Sequence, residues 1–297
     1  MISRRQFVAS ATLAAVVAAS APRVRAAVVK PLIGSQLYGW GQYYQRDKKD
    51  FGSHLGDIYS ALRDSGYDYA EGSLNVGTPD ANHEMVEQMK ARGLKPVSLY
   101  SGAHLHEASS ANNVESIVTA AKVAAKSGFS ILNVNPDPIG REKTDSELEI
   151  QAKNLDLLGS ELSKIGMKFG VHNHTPEMVN GGREYHSNFK RTSSASVGFC
   201  YDVHWVFRGA VKPDAALKDY GSRIVSWHLR QSREGIWWED LDTGDVDYAA
   251  IARTAHDHGY PPFYTVELAL ENGTKITRSA VENHKRSLEF VRKVLVG

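Results

Sequence analysis

The chain has 297 residues, with 35 Lys+Arg against 34 Asp+Glu, a formal net charge of +1, 42% hydrophobic residues and 23% charged ones. That is ordinary globular composition; it excludes a disordered, collagen-like or coiled-coil chain and suits one large α/β domain or two small ones. The near-zero charge lacks the basic surplus of a nucleic-acid binder, and a single cysteine, Cys200, excludes an intramolecular disulfide and a cysteine-only metal cluster.

Taken in chain order, residues 1–26 read as an export signal. Ser3-Arg4-Arg5-Gln6-Phe7-Val8 resembles the twin-arginine consensus, and an alanine-rich apolar stretch follows from Val8 to Ala21. Val24-Arg25-Ala26 supplies a small-residue cleavage site, with Ala19-Ser20-Ala21 competing. Arg4, Arg5, Arg23 and Arg25 fall in this segment and no acidic residue does. The remaining chain of about 271 residues then carries 31 basic against 34 acidic side chains, a net charge of −3. The expectation is a protein exported already folded, to the periplasm or an equivalent compartment, a route often taken by cargo that carries a metal or cofactor. No apolar run in the mature body is long enough to span a bilayer.

Residues 27–297 alternate strand-like and helix-like segments. The strand candidates are Leu32–Tyr38, Tyr67–Ala70, Lys95–Leu99, Ile131–Asn135, Lys168–His172, Val197–Tyr201, Ile224–His228 and Phe263–Glu267. Several follow a glycine that would close the preceding helix, as in Ser65-Gly66-Tyr67 and Ser127-Gly128-Phe129. Between them run amphipathic stripes: Leu55, Ile58 and Leu62; Val114, Ile117, Val118 and Ala121; Leu148, Leu155, Leu158 and Leu162. A last helix is expected from about Ser279 to Leu295. Eight strands stepping by roughly 30 residues argue for a single (β/α)8 TIM barrel, with a doubly wound open sheet as the alternative. No Gly-x-Gly-x-x-Gly follows an early strand and no Walker loop occurs, so nucleotide binding lacks its main signals.

In a barrel, reactive groups come from the C-terminal ends of the strands. The fifth strand ends in Val171-His172-Asn173-His174, the sixth in Cys200-Tyr201-Asp202-Val203-His204-Trp205, the seventh in Ser226-Trp227-His228-Leu229-Arg230 and the eighth in Thr265-Val266-Glu267. Four consecutive ends each offer a histidine or a carboxylate at one height. Such a mixed nitrogen and oxygen set suits a divalent transition metal.

The whole mature chain resembles the sugar phosphate isomerase/epimerase family, the xylose isomerase-like TIM barrels. The resemblance rests on Gly34-Ser35-Gln36-Leu37-Tyr38-Gly39-Trp40, Gly66-Tyr67-Asp68-Tyr69-Ala70-Glu71, His172-Asn173-His174 with Glu177, and Asp202-Val203-His204-Trp205. Arg223-Ile224-Val225-Ser226-Trp227-His228-Leu229, Gly244-Asp245-Val246-Asp247-Tyr248 and Val266-Glu267 complete it. The resemblance implies a divalent metal, manganese foremost, with zinc, cobalt, iron or magnesium as alternatives, held by His172, Asp202, His228 and Glu267. It also implies a small sugar or keto-sugar substrate and proton abstraction next to a carbonyl, with the ion stabilising the enediolate. The best-known ketose 3-epimerases carry a glutamate where this chain has His172. That departure leaves Glu267 as the one glutamate among the ligands and as the expected base, with His172, His174 and Glu177 in reserve for acid–base work.

One-face chemistry follows more readily than inversion: aldose–ketose isomerisation, or abstraction followed by β-elimination as in inosose dehydratase-like or keto-glycoside lyases. Trp40, Tyr38, Glu71, His174, His204 and Arg230 are candidates to touch substrate, each against an ordinary packing or ion-pair role. His104 and His106 are placed at the pocket mouth, Trp237-Trp238 as a lid or partner contact, His256 and His258 toward solvent, and Cys200 as a small buried residue. A metal-dependent phosphodiesterase and a non-catalytic sugar-binding protein are the competing classes. The charge of −3 counts against the first, and the lost strand-five glutamate keeps the second open.

Overall fold

The computed structural model describes residues 30–297; the segment read as an export signal lies outside the described residues. Eight parallel strands close into a barrel: β1 (Leu32–Gln36), β2 (Tyr69–Ser73), β3 (Ser98–Ala103), β4 (Ile131–Pro136), β5 (Lys168–Val171), β6 (Gly198–Asp202), β7 (Ile224–Leu229) and β8 (Phe263–Val266). Each pairs with its sequence neighbour and β8 closes on β1, so the chain forms a single TIM-barrel domain.

The outer helices are α1 (Tyr38–Arg46), α2 (Leu55–Ser65), α3 (Ala81–Lys90), α4 (Ala111–Ser127), α5 (Asp145–Lys164), α6 (Thr175–Lys190), α7 (Val203–Arg208), α8 (Pro213–Tyr220), α9 (Tyr248–His258) and α10 (Ala280–Val291). Their local signals are explicit. Thr144 caps α5 and Ser279 caps α10, each in a capping box with the glutamate three residues on, so orphan amides are satisfied in both directions. Gly66 and Gly128 end α2 and α4 at φ 100° and 113°, where a side chain would be strained. The expected stripes face inward: Ile58, Leu62, Val114, Ile117, Leu155, Leu158 and Leu162 are all buried between helices and sheet.

Several boundaries differ from expectation. Tyr38 is the first residue of α1 rather than the end of β1, and is 55% exposed. β2 and β3 begin two or three residues later than their apolar runs. Tyr67 leaves the sheet to donate its hydroxyl to the His284 carbonyl in the helix layer, and Ser101-Gly102, which carry no apolar signal, pair with β4. The last helix ends at Val291, followed by one wide turn, Arg292–Val296.

The barrel interior is layered. Tyr69, Val97 and Ile131 pack at the N-terminal end, and the Tyr69 ring fills the space a side chain at Gly34 would need. Above it runs a polar layer: Ser226 donates to Asn133 at 2.8 Å, and Asn133 donates to Ser98 at 3.1 Å and to Glu71 at 2.9 Å. Parallel strands exposed only at their ends make such interior polarity costly unless every group is paired. This layer is the floor on which the strand-end side chains stand.

Candidate functional site

His172, Asp202, His228 and Glu267 come together at the C-terminal end of the barrel. Each is buried and offers one ligand atom within 4.8 Å of the others. Register explains the common height. Asp202 pairs with His228 across β6 and β7, and Val266 with Leu229 across β7 and β8. His172 and Glu267 extend their ladders by one bond each, to the carbonyls of Val134 and Leu229.

Local contacts orient each donor. Asp202 caps α7, its Oδ1 accepting from the Trp205 amide at 2.8 Å, which leaves Oδ2 facing His172 Nε2 at 3.2 Å. His228 stands between two carboxylates, Nδ1 2.8 Å from Glu267 Oε2 and Nε2 2.7 Å from Glu71 Oε1, the latter in ion-pair contact but off the line of a hydrogen bond. Glu267 also meets Arg230, Nη2 to Oε1 at 2.8 Å and Nε to its carbonyl at 3.0 Å.

The charges follow from these contacts. Burial would push His228 down, but the Cys200 thiol and the carboxylates of Glu71 and Glu267 outweigh it and hold the imidazole well above its usual range. Burial would raise Glu267; Arg230 and His228 overcome it and keep the carboxyl well below the ordinary range. Asp202 is held low in the same way by the His172 hydrogen bond and Arg230, against its burial.

The donor set fits a divalent cation. Two imidazoles and two carboxylates supply the ligand types, and with Glu71 beside His228 three carboxylates stand against Arg230 and the His228 imidazolium. The donor atoms face one another: His172 Nε2 is 3.2 Å from Asp202 Oδ2 and 3.9 Å from Glu267 Oε2, and that same Glu267 oxygen is 2.8 Å from His228 Nδ1.

A cavity of about 310 Å³ opens onto this group, lined by Gln36, Tyr38, Tyr100, His174, Trp205, Arg230, Trp237 and Glu267. It adjoins a cleft of about 590 Å³ that shares Gln36, Tyr38 and Tyr100. His174 and Arg230 therefore lie where substrate contacts were expected. Burial and the neighbouring His172 push His174 down to about 3, so its ring is neutral. Arg230 lies over the Trp237 ring at 4.2 Å, and its buried Nη1 has no partner.

Other candidates sit elsewhere. Trp40 is 2% exposed, donates to Ser35 Oγ at 3.2 Å and stacks on His284 at 4.3 Å, so it is a core residue rather than a sugar platform. Glu71 is fully buried, accepts from Ser98 and Asn133 and faces His228, and it also borders the adjoining cleft of about 590 Å³. His204 is fully buried in α7, stays outside the cavity lining, and is pushed down to about 4 by burial and Arg230. Glu177 closes a capping box on α6, accepting from the His174 amide at 2.6 Å, and burial pushes it up to about 7. It stands behind His174 rather than in the cavity wall. His104 and His106 are absent from that wall too.

Gln36, Tyr100 and Trp205 are cavity residues not singled out from the sequence. Trp205 had a signal, since it follows Asp202 at the cap of α7. Tyr100 had none: it lies just past the expected third strand, Lys95–Leu99, and only barrel closure sets its ring against His172, centroids 5.4 Å apart.

Among solved structures the chain is similar to a sugar phosphate isomerase/epimerase from Parabacteroides distasonis, at 20% identity over 91% of this chain and 96% of that one, with a TM-score of 0.72. It is similar to D-allulose 3-epimerase from Methylomonas sp. in complex with D-allulose, at 13% identity over 90% and 98%, TM-score 0.71. It is also similar to the IolI protein with a bound zinc atom, at 15% identity over 89% and 98%, TM-score 0.65. At these identities the likeness shows the fold. No curated protein matches the chain. Residues 59–294 match a family whose description agrees with the barrel and its strand-end cluster: the chain belongs to the xylose isomerase-like TIM barrels.

Proposed function

We propose that the protein is a metal-dependent carbohydrate isomerase or epimerase that abstracts a proton next to a carbonyl. The observation that carries this reading is the buried group His172, Asp202, His228 and Glu267 open to one polar-aromatic cavity of about 310 Å³. The four side chains would hold a divalent cation, which when bound polarises a substrate carbonyl and stabilises enediolate charge. Membership of the family and the sugar-acting structural neighbours support the substrate class. Manganese is the expected ion, and the zinc seen in one neighbour makes zinc the alternative.

The chain's own residues do the rest. Glu267 is the carboxylate in the wall of this cavity and is held ionised, so it takes the proton from the carbon beside the carbonyl and returns it to the neighbouring carbon. Arg230 keeps that carboxylate in place through two contacts and offers its free Nη1 to a substrate oxygen. His174, neutral, exchanges hydrogen bonds with a hydroxyl. Trp205 and Trp237 give the sugar's apolar face a surface and exclude water.

One carboxylate in the wall also favours a second reading, a sugar lyase or dehydratase, because elimination needs no proton donor on the opposite face. A panel of ketoses, 3-keto-glycosides and inososes with added Mn²⁺, followed by NMR in deuterated water, separates the two. Deuterium at one carbon with an intact skeleton marks the isomerase, and an unsaturated product marks the lyase. Glu267→Gln is expected to abolish turnover with the fold intact; retained turnover removes Glu267 as the base. Full activity after chelation, with no divalent metal in the protein, overturns the metal-dependent reading.

We also propose that residues 1–26 direct export by the twin-arginine route. Arg4→Lys with Arg5→Lys is expected to leave the protein unprocessed in the cytoplasmic fraction of a twin-arginine-competent host, whereas the unaltered chain is cleaved and recovered outside the inner membrane. Identical fractionation of the two would sink it.

A further inference from the structure

A second group of metal-ligating side chains gathers at the end of β3, apart from the buried four. His104, His106 and Glu107 lie in the loop between β3 and α4, and one ligand atom from each falls within 4.8 Å of the others. Glu107 faces both rings, with Oε2 3.4 Å from His104 Nε2 and Oε1 3.6 Å from His106 Nε2. These separations are longer than hydrogen bonds, whose heavy atoms sit about 2.7–3.2 Å apart. They leave room for a cation between the carboxylate and the two rings, at zinc–ligand bonds of about 2.0–2.2 Å.

The independent observation is His106. It is only 4% exposed, yet its Nδ1 has no hydrogen-bond partner. Its Nε2, 3.6 Å from Glu107 Oε1, is beyond hydrogen-bond reach as well, so among the described residues neither ring nitrogen is held by a hydrogen bond and Nε2 is free to ligate. The surroundings do not oppose a cation. Lys143, whose charge is felt at His106, is paired with Glu184 at 2.6 Å. The loop is also held: the His104 amide donates to Asn113 at 3.2 Å, and the Glu107 amide to Ser110 Oγ at 3.1 Å.

We propose that His104, His106 and Glu107 form a second divalent-cation site, separate from the cluster at the ends of β5 to β8. Two imidazoles and one carboxylate with a fourth position open are a zinc donor set. The site shares no ligand with the buried cluster, and its side chains stand outside the cavity that cluster serves. Half-exposed His104 and Glu107 give the ion access from solvent.

The test is a titration of the untagged full chain, stripped with chelator, with Zn²⁺ against a chromophoric competitor. The unaltered protein is expected to take up two equivalents. His104→Gln, at a half-exposed loop position, is expected to weaken one of them by more than the about 10–100-fold that loss of a mere supporting contact costs, leaving the other unchanged. Asp202→Asn is expected to remove the other equivalent and spare this one, so failure of the buried cluster is read separately. His106→Asn provides a second variant, with circular dichroism as the check on folding. The proposal is overturned if no equivalent bound by the unaltered chain responds to His104→Gln.

Discussion

Glu71 and Glu177 show how one carboxylate changes meaning with its surroundings. Both follow a strand in the sequence and both read as possible pocket residues. In the barrel, Glu71 is fully buried beside His228, while Glu177 turns back to cap α6. Glu177 carries a pH signature. Folding raises its acid from the ordinary 4.5 to about 7, chiefly by burial. Below about pH 4.5 the group is protonated in both states and its contribution is complete. As pH rises through about 7 the folded protein must give up the proton, and up to about 3 kcal/mol is lost. Glu177→Gln stays neutral throughout. The stability of the unaltered protein relative to this variant, from urea unfolding, is expected to fall between about pH 5 and pH 8. A flat difference would show that Glu177 is not desolvated as the structure has it.

At the scale of elements, α1 illustrates what strand-end reasoning misses. The segment after β1 turns at once into a helix, and Gly39 lies so close to the Leu268 carbonyl that a Cβ there would come within 1.9 Å of it. That approach swings Trp40 into the core against His284 of α10 and leaves Tyr38 facing the cavity. Trp40→Ala should therefore cost about 3–5 kcal/mol of stability, in line with other large-to-small core changes. Tyr38→Ala should leave the melting temperature nearly unchanged and raise KM for substrate. Thermal unfolding and steady-state kinetics on the two variants decide the matter; a larger KM effect from the milder Trp40→Phe than from Tyr38→Ala would return Trp40 to the site. The α7 helix makes the complementary point. Its start was not anticipated, yet its cap is what orients Asp202.

For the whole molecule, the buried cluster links stability to metal. A cation that binds only the folded chain adds about 2.7 kcal/mol at one hundred times its dissociation constant. In a domain this large that corresponds to a rise in Tm of about 5–10 °C. His228 is held protonated in the metal-free protein, so binding must displace that proton and affinity should fall as pH is lowered. Differential scanning calorimetry with Mn²⁺ or Zn²⁺ at pH 8 and pH 6 is expected to show a larger shift at pH 8. Asp202→Asn should show a much smaller shift at either pH. Equal shifts in the two proteins would place the stabilising ion elsewhere.

The sequence by itself determined the barrel, because glycine helix stops and apolar stripes are local features that repeat with the βα period. It also placed His172, Asp202, His228 and Glu267 at four successive strand ends, since a parallel register carries equivalent positions to one height. Tertiary structure alone decided which neighbours of those ligands face the cavity. Trp40 and His204 are as close in sequence to the strand ends as His174 and Arg230, but helix entry angles turn the first two into packing. Tyr100 joins the site only through closure of the barrel. The pairing of Arg230 with Glu267 joins residues 37 positions apart, which no local pattern encodes. Local signals specify the period of the fold; the direction of each side chain is set by contacts that exist only once the barrel has closed.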